Sequence, residues 1–162
     1  MEIKQIGIIH SPFKKPEGMP IQPVFADGAE GIVEVFDEFT AGLKDLEGFE
    51  RIWLIYWFHR GKPFKPLVKP YMDTTERGLF ATRAPCRPNP IGLSAVRLVR
   101  IENSRIYIAE VDILDGSPLL DIKPYVSRFD CYAVKHNGWL DQITDIHWTA
   151  DSRFYNNDKV KD

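Results

Sequence analysis

The stretch from Ser94 to Leu114, SAVRLVRIENSRIYIAEVDIL, decides the fold, because it joins two apolar runs through the short polar segment Glu102-Asn103-Ser104. Runs rich in Val, Ile and Leu that are separated by a two- or three-residue polar connection predict two antiparallel strands linked as a hairpin. We therefore predict strands at 94–101 and 105–114 with a tight turn between them.

Further short apolar runs continue this pattern on both sides of the hairpin. They predict strands at 4–9, 31–36, 51–58 and 79–82, which are separated by clusters of Gly, Pro and Asp. The run at 51–58, RIWLIYWF, is apolar almost throughout, which is typical of a strand covered on both faces. These six runs indicate a chain built mainly of β-strands.

Two short helices complete the prediction. The first has Thr40 as its N-cap and ends at Gly48, and the second contains Trp139 and Leu140. Strands and helices do not alternate as they do in a parallel sheet, so the pattern favours a barrel or a sandwich. We expect one β domain at residues 3–150 and a polar tail at 151–162.

Composition limits the classes of function. A chain of 162 residues that is 44% apolar can bury a core without help from disulfides or metals. Cys86 and Cys131 match no zinc-site spacing, and the four histidines show no HxH or HxxxH pattern, so we expect no metal. The longest apolar run, 52–58, is too short to span a bilayer, and no signal peptide is recognisable. We expect a soluble, cytoplasmic protein without a membrane partner.

Charge is distributed unevenly along the chain. The net charge is −2, but residues 60–105 carry ten Lys and Arg against three Asp and Glu, which leaves this segment at +7 and the remainder at −9. This segregation either builds one basic face that follows nucleic-acid phosphates or places solvated charges all around the domain. The sequence leaves both alternatives open.

The segment RPNPIG at 87–92 is stiff and cationic. Each proline forces the residue before it into an extended conformation, so Arg87 and Asn89 are presented rigidly beside a strand. Arg87 can bind a carboxylate through two hydrogen bonds, and the amide of Asn89 both donates and accepts. The alternative is a barrel corner in which Arg87 pairs with a surface acid. Neighbouring arginines could lower the pKa of Cys86, but a thiol in a turn is more often unreactive.

The segment DGSP at 115–118 has the composition of a turn and leads into LLDIKPY. Asp121 and Lys123 lie there among apolar residues, and charges in such positions are seldom unpaired. A structural ion pair between these two residues is the simplest interpretation.

Two segments of the sequence, taken together, point to a protein family more specifically than either segment does alone. RAPCRPNPIGLSAVRLV at 83–99 and DILDGSPLLDIKPY at 112–125 closely resemble the TsaA-like (TrmO) family, and QPVF at 22–25 and IWLIYWFH at 52–59 also fit. The resemblance extends from residue 3 to about residue 132. It implies a single-domain β-barrel of about six to eight strands with one or two short helices, which binds S-adenosylmethionine and forms homodimers. The implied activity is methyl transfer to N6 of (threonylcarbamoyl-)adenosine 37 in the anticodon loop of tRNA. The additional C-terminal domain of longer bacterial members is not expected in this chain.

The resemblance also implies roles for individual residues. For the implied reaction we hypothesise that Asn89 or Asp115 accepts the proton of the methylated nitrogen, that Tyr125 stacks on the base, and that RPNPIG and DGSP form neighbouring walls of one pocket. Two other functions stay open: a non-catalytic S-adenosylmethionine-binding protein with a sensing or regulatory role, and an RNA-binding barrel with a vestigial pocket. The implied cofactor contacts are Gln22, Pro23, Val24, His59, Arg60, Arg87, Arg97, Leu98, Ile113, Leu114, Asp115 and Gly116.

Overall fold

The computed structural model describes residues 2–144 and 147–156 and contains eight strands in this part of the chain. They are β1 (Gly7–His10), β2 (Glu30–Val35), β3 (Arg51–Trp57), β4 (Leu67–Val68), β5 (Arg77–Gly78), β6 (Ile91–Glu102), β7 (Arg105–Ala109) and β8 (Ser117–Pro124). Six of them close an antiparallel barrel in the order β1-β2-β7-β6-β3-β8, and β4 pairs with β5 in a separate two-stranded sheet. The predicted mainly β barrel is confirmed.

The hairpin that decides the fold joins β6 to β7. Glu102 pairs with Arg105, and Asn103 between them has a φ of 55°, a left-handed conformation that asparagine tolerates better than most residues. The first strand begins at Ile91, three residues before the predicted start. The second ends at Ala109 instead of Leu114, because Glu110 also has a positive φ (63°) and turns the chain away from the barrel ladder.

Some local predictions were wrong. Leu79–Ala81 is a 3₁₀ helix and not a strand, since the backbone amide of Thr82 closes a turn on the carbonyl of Leu79. Thr40 lies inside a 3₁₀ helix, Asp37–Leu43, and is not its N-cap. The strand β8 was not predicted, because its sequence begins with turn-forming residues.

The helical elements are short. The described residues contain one α-helix, α1 (Ser127–Asp130), and several 3₁₀ helices. Trp139 and Leu140 belong to one of these, Gly138–Gln142, so a short helical segment occurs where one was expected. No helix in the described ranges is long and apolar enough to cross a membrane.

The interior of the barrel is filled by alternate residues of its strands. Along β3 the side chains at positions 52, 54 and 56 are buried and those at 51, 53, 55 and 57 are half-buried, so the outward face is only partly covered within one chain. Aliphatic residues from all six barrel strands meet in this core: Ile9, Val33, Val35, Ile52, Leu54, Val96, Ile106, Ile108 and Leu119.

A second apolar cluster packs the long loops against the barrel. It includes Leu79 and Cys86 from the segment after β5, Leu114 from the segment before β8, and Phe154 and Tyr155 near the end of the described chain. The predicted polar tail therefore does not begin at residue 151, because the aromatic side chains at 154 and 155 are buried there. The rest of that predicted tail, 157–162, lies outside the described residues.

Candidate functional site

The loop between β5 and β6 holds Arg87 through its own backbone. The guanidinium donates to the carbonyls of Thr82 (3.0 Å) and Ala84 (3.3 Å) and lies 5.6 Å from the ring centre of Phe80. Within the described ranges no acid pairs with Arg87, so the expected pairing with a surface carboxylate is not found. The positive charge is fixed in place and is not neutralised.

Three cavities meet at a hydrogen bond from the guanidinium of Arg83 to the side-chain oxygen of Gln22. Both residues line all three cavities. We call them the inner cavity (about 290 Å³), the aromatic cleft (about 560 Å³) and the outer groove (about 600 Å³). Gln22, one of the residues implied as a cofactor contact, is thus at the centre of the region.

The inner cavity lies between the barrel and the loop that carries Arg87. Its wall includes Arg87, Tyr56 from β3 and Asp112 from the segment between β7 and β8. The hydroxyls of Tyr56 and Ser94 lie 3.2 Å apart, and Ser94 is on β6. Only 8% of Asp112 is exposed, and its Oδ1 has no hydrogen-bond partner in the described part of the chain.

Burial controls the ionisation of these groups. Loss of hydration raises the pKa of Asp112 to about 7, although the Ser94 hydroxyl and the Arg83 guanidinium favour its charged form. Burial, with the nearby Asp112 carboxylate as the next cause, also raises the pKa of Tyr56 well above its usual value. Asp112 can therefore be charged or neutral near pH 7, whereas Tyr56 stays neutral. Neither Asp112 nor Tyr56 is among the site residues predicted from the sequence.

The aromatic cleft is lined by Phe25, Phe80 and Trp139 beside Arg83. The indole nitrogen of Trp139 donates to the carbonyl of Ala81 (2.8 Å) and so ties the segment 138–142 to the loop after β5. Phe80 is 77% exposed, which is unusual for a phenylalanine, and its ring stands next to the Arg87 guanidinium. Exposed aromatic rings next to fixed cations are suited to stacking on a planar ligand.

The outer groove contains Pro23, Val24 and Tyr125, together with Gln22. The Tyr125 ring packs against Trp53 on the outward face of β3, with ring centres 5.5 Å apart. Five predicted site residues are thus brought around the Arg83–Gln22 hydrogen bond: Gln22, Pro23, Val24, Arg87 and Tyr125.

Asp115 lies in a different place. It lines a polar cavity of about 430 Å³ that contains neither Gln22 nor Arg87. Its two oxygens are engaged by the backbone amide of Ser11 (3.0 Å) and the ammonium of Lys14 (2.7 Å). Burial acts to raise the pKa of Asp115, but these hydrogen bonds outweigh it and lower the pKa below its usual value. The expectation that RPNPIG and DGSP wall one pocket is therefore wrong within a single chain.

Two further predicted residues lie near Asp115. The Nδ1 of His59 is 3.3 Å from the hydroxyl of Ser117, and Arg60 donates to the carbonyl of Lys14 (3.1 Å). Burial and the adjacent Arg60 lower the pKa of His59, so this ring is neutral at pH 7. Gly116 occupies a left-handed turn with a φ of 75°.

The remaining predicted residues line neither the three cavities around Gln22 nor the cavity that contains Asp115. Leu98, Ile113 and Leu114 are buried in the two apolar clusters. Arg97 faces outward and pairs with Glu110 (3.6 Å), and Asn89 is exposed at the tip of the loop. The predicted ion pair between Asp121 and Lys123 is confirmed at 2.6 Å.

The basic segment does not form one free cationic face. Arg77, Arg97 and Arg100 each pair with a carboxylate, while Arg83 and Arg87 face the cavities. Cys86 in the same segment is buried, and burial raises the pKa of its thiol despite nearby cations. No cluster of His, Cys, Asp and Glu suited to a metal was found among the residues described.

Comparison with known proteins identifies the family of this chain. The family model of the tRNA-methyltransferase O N-terminal domain matches residues 8–131, which include the loop of Arg87, Asp112 and most of the barrel. The chain belongs to the TrmO family. Its fold also matches a crystal structure of TrmO from Pseudomonas aeruginosa, with a TM-score of 0.73 and 38% identity over 86% of this chain and 62% of that one. This chain therefore spans less than two thirds of that TrmO structure.

Relatives in the TrmO family carry two kinds of name. A probable S-adenosyl-L-methionine-binding protein of Pyrococcus abyssi is 58% identical over 86% of this chain and 76% of its own length. A tRNA (adenine(37)-N6)-methyltransferase of Mus musculus is 33% identical over 77% of this chain and 31% of its own length. The resemblance seen in the two sequence motifs is confirmed.

Proposed function

We propose that the protein is an S-adenosylmethionine-dependent methyltransferase that acts on N6 of (threonylcarbamoyl-)adenosine 37 in cytoplasmic tRNA. The observation that carries the proposal is the shared wall of the inner cavity and the aromatic cleft, formed by Gln22 and Arg83. A cavity with a few charged and amide side chains in its wall, suited to a cofactor, thus adjoins an aromatic, cationic cleft for a nucleobase. Membership of a tRNA-methyltransferase family supports the same conclusion.

The inner cavity fits the functional groups of the cofactor. S-adenosylmethionine, which supplies an electrophilic methyl group when bound, carries a carboxylate, an ammonium and an adenine amine. Arg87 is a fixed cation without an acidic partner in the described chain and is suited to the carboxylate. The side-chain amide of Gln22, which lines the same cavity, can form hydrogen bonds with the N–H groups.

The aromatic cleft provides surfaces on which a base can stack. Phe80 is exposed beside Arg87, and Trp139 lines the same cleft. Stacking on an aromatic side chain contributes about 1–3 kcal/mol per base. Tyr125 and Asn89 remain proposed contacts to the target adenosine, because Tyr125 lines the outer groove and Asn89 lies two residues after Arg87 of the inner cavity.

A homodimer would account for the separation of the proposed cofactor residues into two regions. Gln22 and Arg87 belong to the inner cavity, whereas His59, Arg60 and Asp115 surround a different one. We propose that a second copy brings the Asp115 region of one subunit to the Arg87 region of the other. The incompletely covered outward face of β3 is compatible with such a contact. A chain that binds the cofactor tightly while remaining monomeric at micromolar concentration contradicts this arrangement.

The alternative is a non-catalytic S-adenosylmethionine-binding protein with a sensing role. It is favoured by the names of the archaeal relatives, including one from Archaeoglobus fulgidus that is 42% identical over 81% of this chain, since these names state binding alone. Incubation with radiolabelled cofactor and tRNA from cells that lack the corresponding gene separates the two functions. Methyl incorporation at adenosine 37 supports the enzyme, and cofactor binding without incorporation supports the alternative.

A pair of variants tests the role of the aromatic cleft. Phe80→Ala is expected to weaken tRNA binding about tenfold by removing one stacking surface, with the fold unchanged because the ring is exposed. Phe129→Ala is the control, since Phe129 is also exposed (59%) but lies on α1 outside the cleft. Filter binding with labelled tRNA measures both. Equal affinities for the two variants contradict the cleft as the base-binding surface.

A further inference from the structure

The inner cavity contains one acidic side chain, Asp112, that neither the sequence motifs nor the comparisons assign to a role. It lies in the buried segment Val111–Leu114, where it is flanked by apolar residues of the core. Its Oδ1 has no partner among the residues described, and leaving a charged oxygen unpaired in the interior is costly. An unpartnered buried polar atom on a residue that lines a cavity indicates a hydrogen bond that is completed by a ligand.

We propose that Asp112 is the general base that takes the proton from N6 of the target adenosine. This inference rests on the proposed function, because it requires that N6 be the methylated atom. Asp112 is the only carboxylate among the described residues that line the inner cavity, and Arg87 and Gln22 line the same space. The cavity thus brings a proton acceptor to the groups proposed to hold the cofactor.

The chemistry of the target nitrogen explains the need for a base. In a threonylcarbamoyl-adenosine, N6 is part of a urea, and its lone pair is delocalised into the carbonyl group and the purine ring. Such a nitrogen is a weak nucleophile until its N–H bond is polarised by an acceptor. General-base catalysis of this kind contributes about 10²–10⁴ in rate.

The proposed step balances in atoms and charge. The N6–methyl bond forms as the methyl–sulfur bond breaks, and the electrons of the broken bond stay on sulfur. The N6 proton passes to the Asp112 carboxylate, which becomes a neutral acid and later releases the proton to solvent. The positive charge of the sulfonium and the negative charge of the carboxylate are lost together, so the net charge of the reacting groups is zero before and after the step.

The other acceptors considered are less suited to this task. Both oxygens of Asp115 are already engaged by Ser11 and Lys14, and its lowered pKa makes it a weak base. Asn89 is exposed, and an amide cannot take up a proton at neutral pH. Asp112 has free acceptor capacity, and its pKa of about 7 matches the operating range of a general base.

None of the described groups that face Asp112 changes its protonation state in the pH range in which Asp112 titrates. Arg83 is the cation that acts on it, and its titratable neighbours in the described chain are the phenols of Tyr56 and Tyr155. Burial raises the pKa of both tyrosines, so they do not ionise near pH 7. A change observed between pH 5.5 and 8.5 at this position is therefore assigned to Asp112.

The test compares Asp112→Asn, which keeps the shape but removes the base, with the wild-type chain and with Asp37→Asn at an exposed position. Single-turnover methyl transfer to tRNA at pH 8 is expected to fall at least about 100-fold in Asp112→Asn and to be unchanged in Asp37→Asn. Calorimetry should show S-adenosylmethionine affinity within about threefold of wild type, since the cofactor is held by other residues. The wild-type rate should drop about tenfold per pH unit below pH 7, and this limb should be absent in Asp112→Asn.

A measurement that does not depend on activity completes the test. Carbon-13 NMR of the aspartate carboxyl groups should show one signal with a midpoint near pH 7 in the wild type that is missing in Asp112→Asn. If the variant keeps its rate within threefold, or if it loses cofactor binding together with its rate, Asp112 is not the base. If the wild-type chain methylates no tRNA, the proposed methyltransferase function is wrong. This result differs from the failure of the Asp112 proposal alone, in which the wild-type chain is active and Asp112→Asn keeps its rate or loses cofactor binding.

Discussion

Removal of the Asp112 carboxylate should stabilise the folded protein at neutral and alkaline pH. The usual pKa of an aspartate, 3.8, describes the unfolded chain, whereas the folded protein raises the pKa of Asp112 to about 7. Between these two values the folded state keeps a proton that the unfolded state has lost. The free energy of unfolding therefore falls as pH rises through this window, and it is independent of this group below pH 3.8 and above pH 7.

The magnitude follows from the width of the window. One pKa unit corresponds to about 1.4 kcal/mol, so a difference of roughly three units costs the folded state about 4 kcal/mol once Asp112 is fully ionised. In a chain of this size, 1 kcal/mol shifts Tm by about 2–4 °C. Asp112→Asn has no charge to bury, so its stability relative to wild type should rise by about 4 kcal/mol between pH 4 and pH 8.

Guanidinium unfolding at several pH values from 4 to 8 measures this difference, with Asp37→Asn as the control for loss of an exposed carboxylate. Any constant effect of the new amide group cancels, because only the change with pH is compared. A flat difference across the range, or one that falls as pH rises, refutes the reasoning. Either result means that Asp112 is ionised and well solvated in the folded protein.

Two other perturbations test the packing and the thiols. Gly92→Ala should destabilise the protein by about 1–3 kcal/mol in guanidinium unfolding, because the new methyl group would lie 2.4 Å from the ring of Tyr56. The control Gly78→Ala should be nearly neutral, because there is open space around Gly78. Equal effects of the two substitutions contradict the close approach of Gly92 to Tyr56. Cys131 is exposed and should react with a disulfide reagent within minutes. Cys86 is 1% exposed and burial raises the pKa of its thiol, so it should react only when the protein unfolds. Equal reaction rates of the two thiols contradict the burial of Cys86.

The barrel could be predicted from sequence where periodic apolar runs are long. The strands β3, β6 and β7 lie where the runs at 51–58, 94–101 and 105–114 were found, and the turn at Asn103 has the expected chemistry. β8 was missed because Ser117 and Pro118 look like turn residues, although they form the start of the strand by pairing with β1. Long-range pairing outweighs local preference in such a segment.

The candidate site was only partly predictable. The stiff loop that presents Arg87 could be recognised, because proline has a local and direct effect on the backbone. The partition of Asp115 and Arg87 into separate cavities could not, because it depends on how the barrel closes. Asp112 did leave a signal: it is an acid between Val111 and Ile113 in a run that is otherwise apolar. An isolated acid in an apolar run does not show from sequence alone whether it is buried, because that depends on how the loops pack against the barrel.

The energetics of Asp112 connect the fold with the proposed reaction. At pH 7 and above, the buried carboxylate costs the folded protein several kcal/mol, which is a large share of the stability of an ordinary domain. The described structure offers no hydrogen bond to its Oδ1 that would offset this cost. An N–H donor bound in the cavity supplies the missing bond, so ligand binding and stability are coupled at this residue. A destabilised carboxylate is also a stronger base than a solvated one. The same burial that weakens the fold therefore prepares Asp112 to take a proton from the substrate nitrogen.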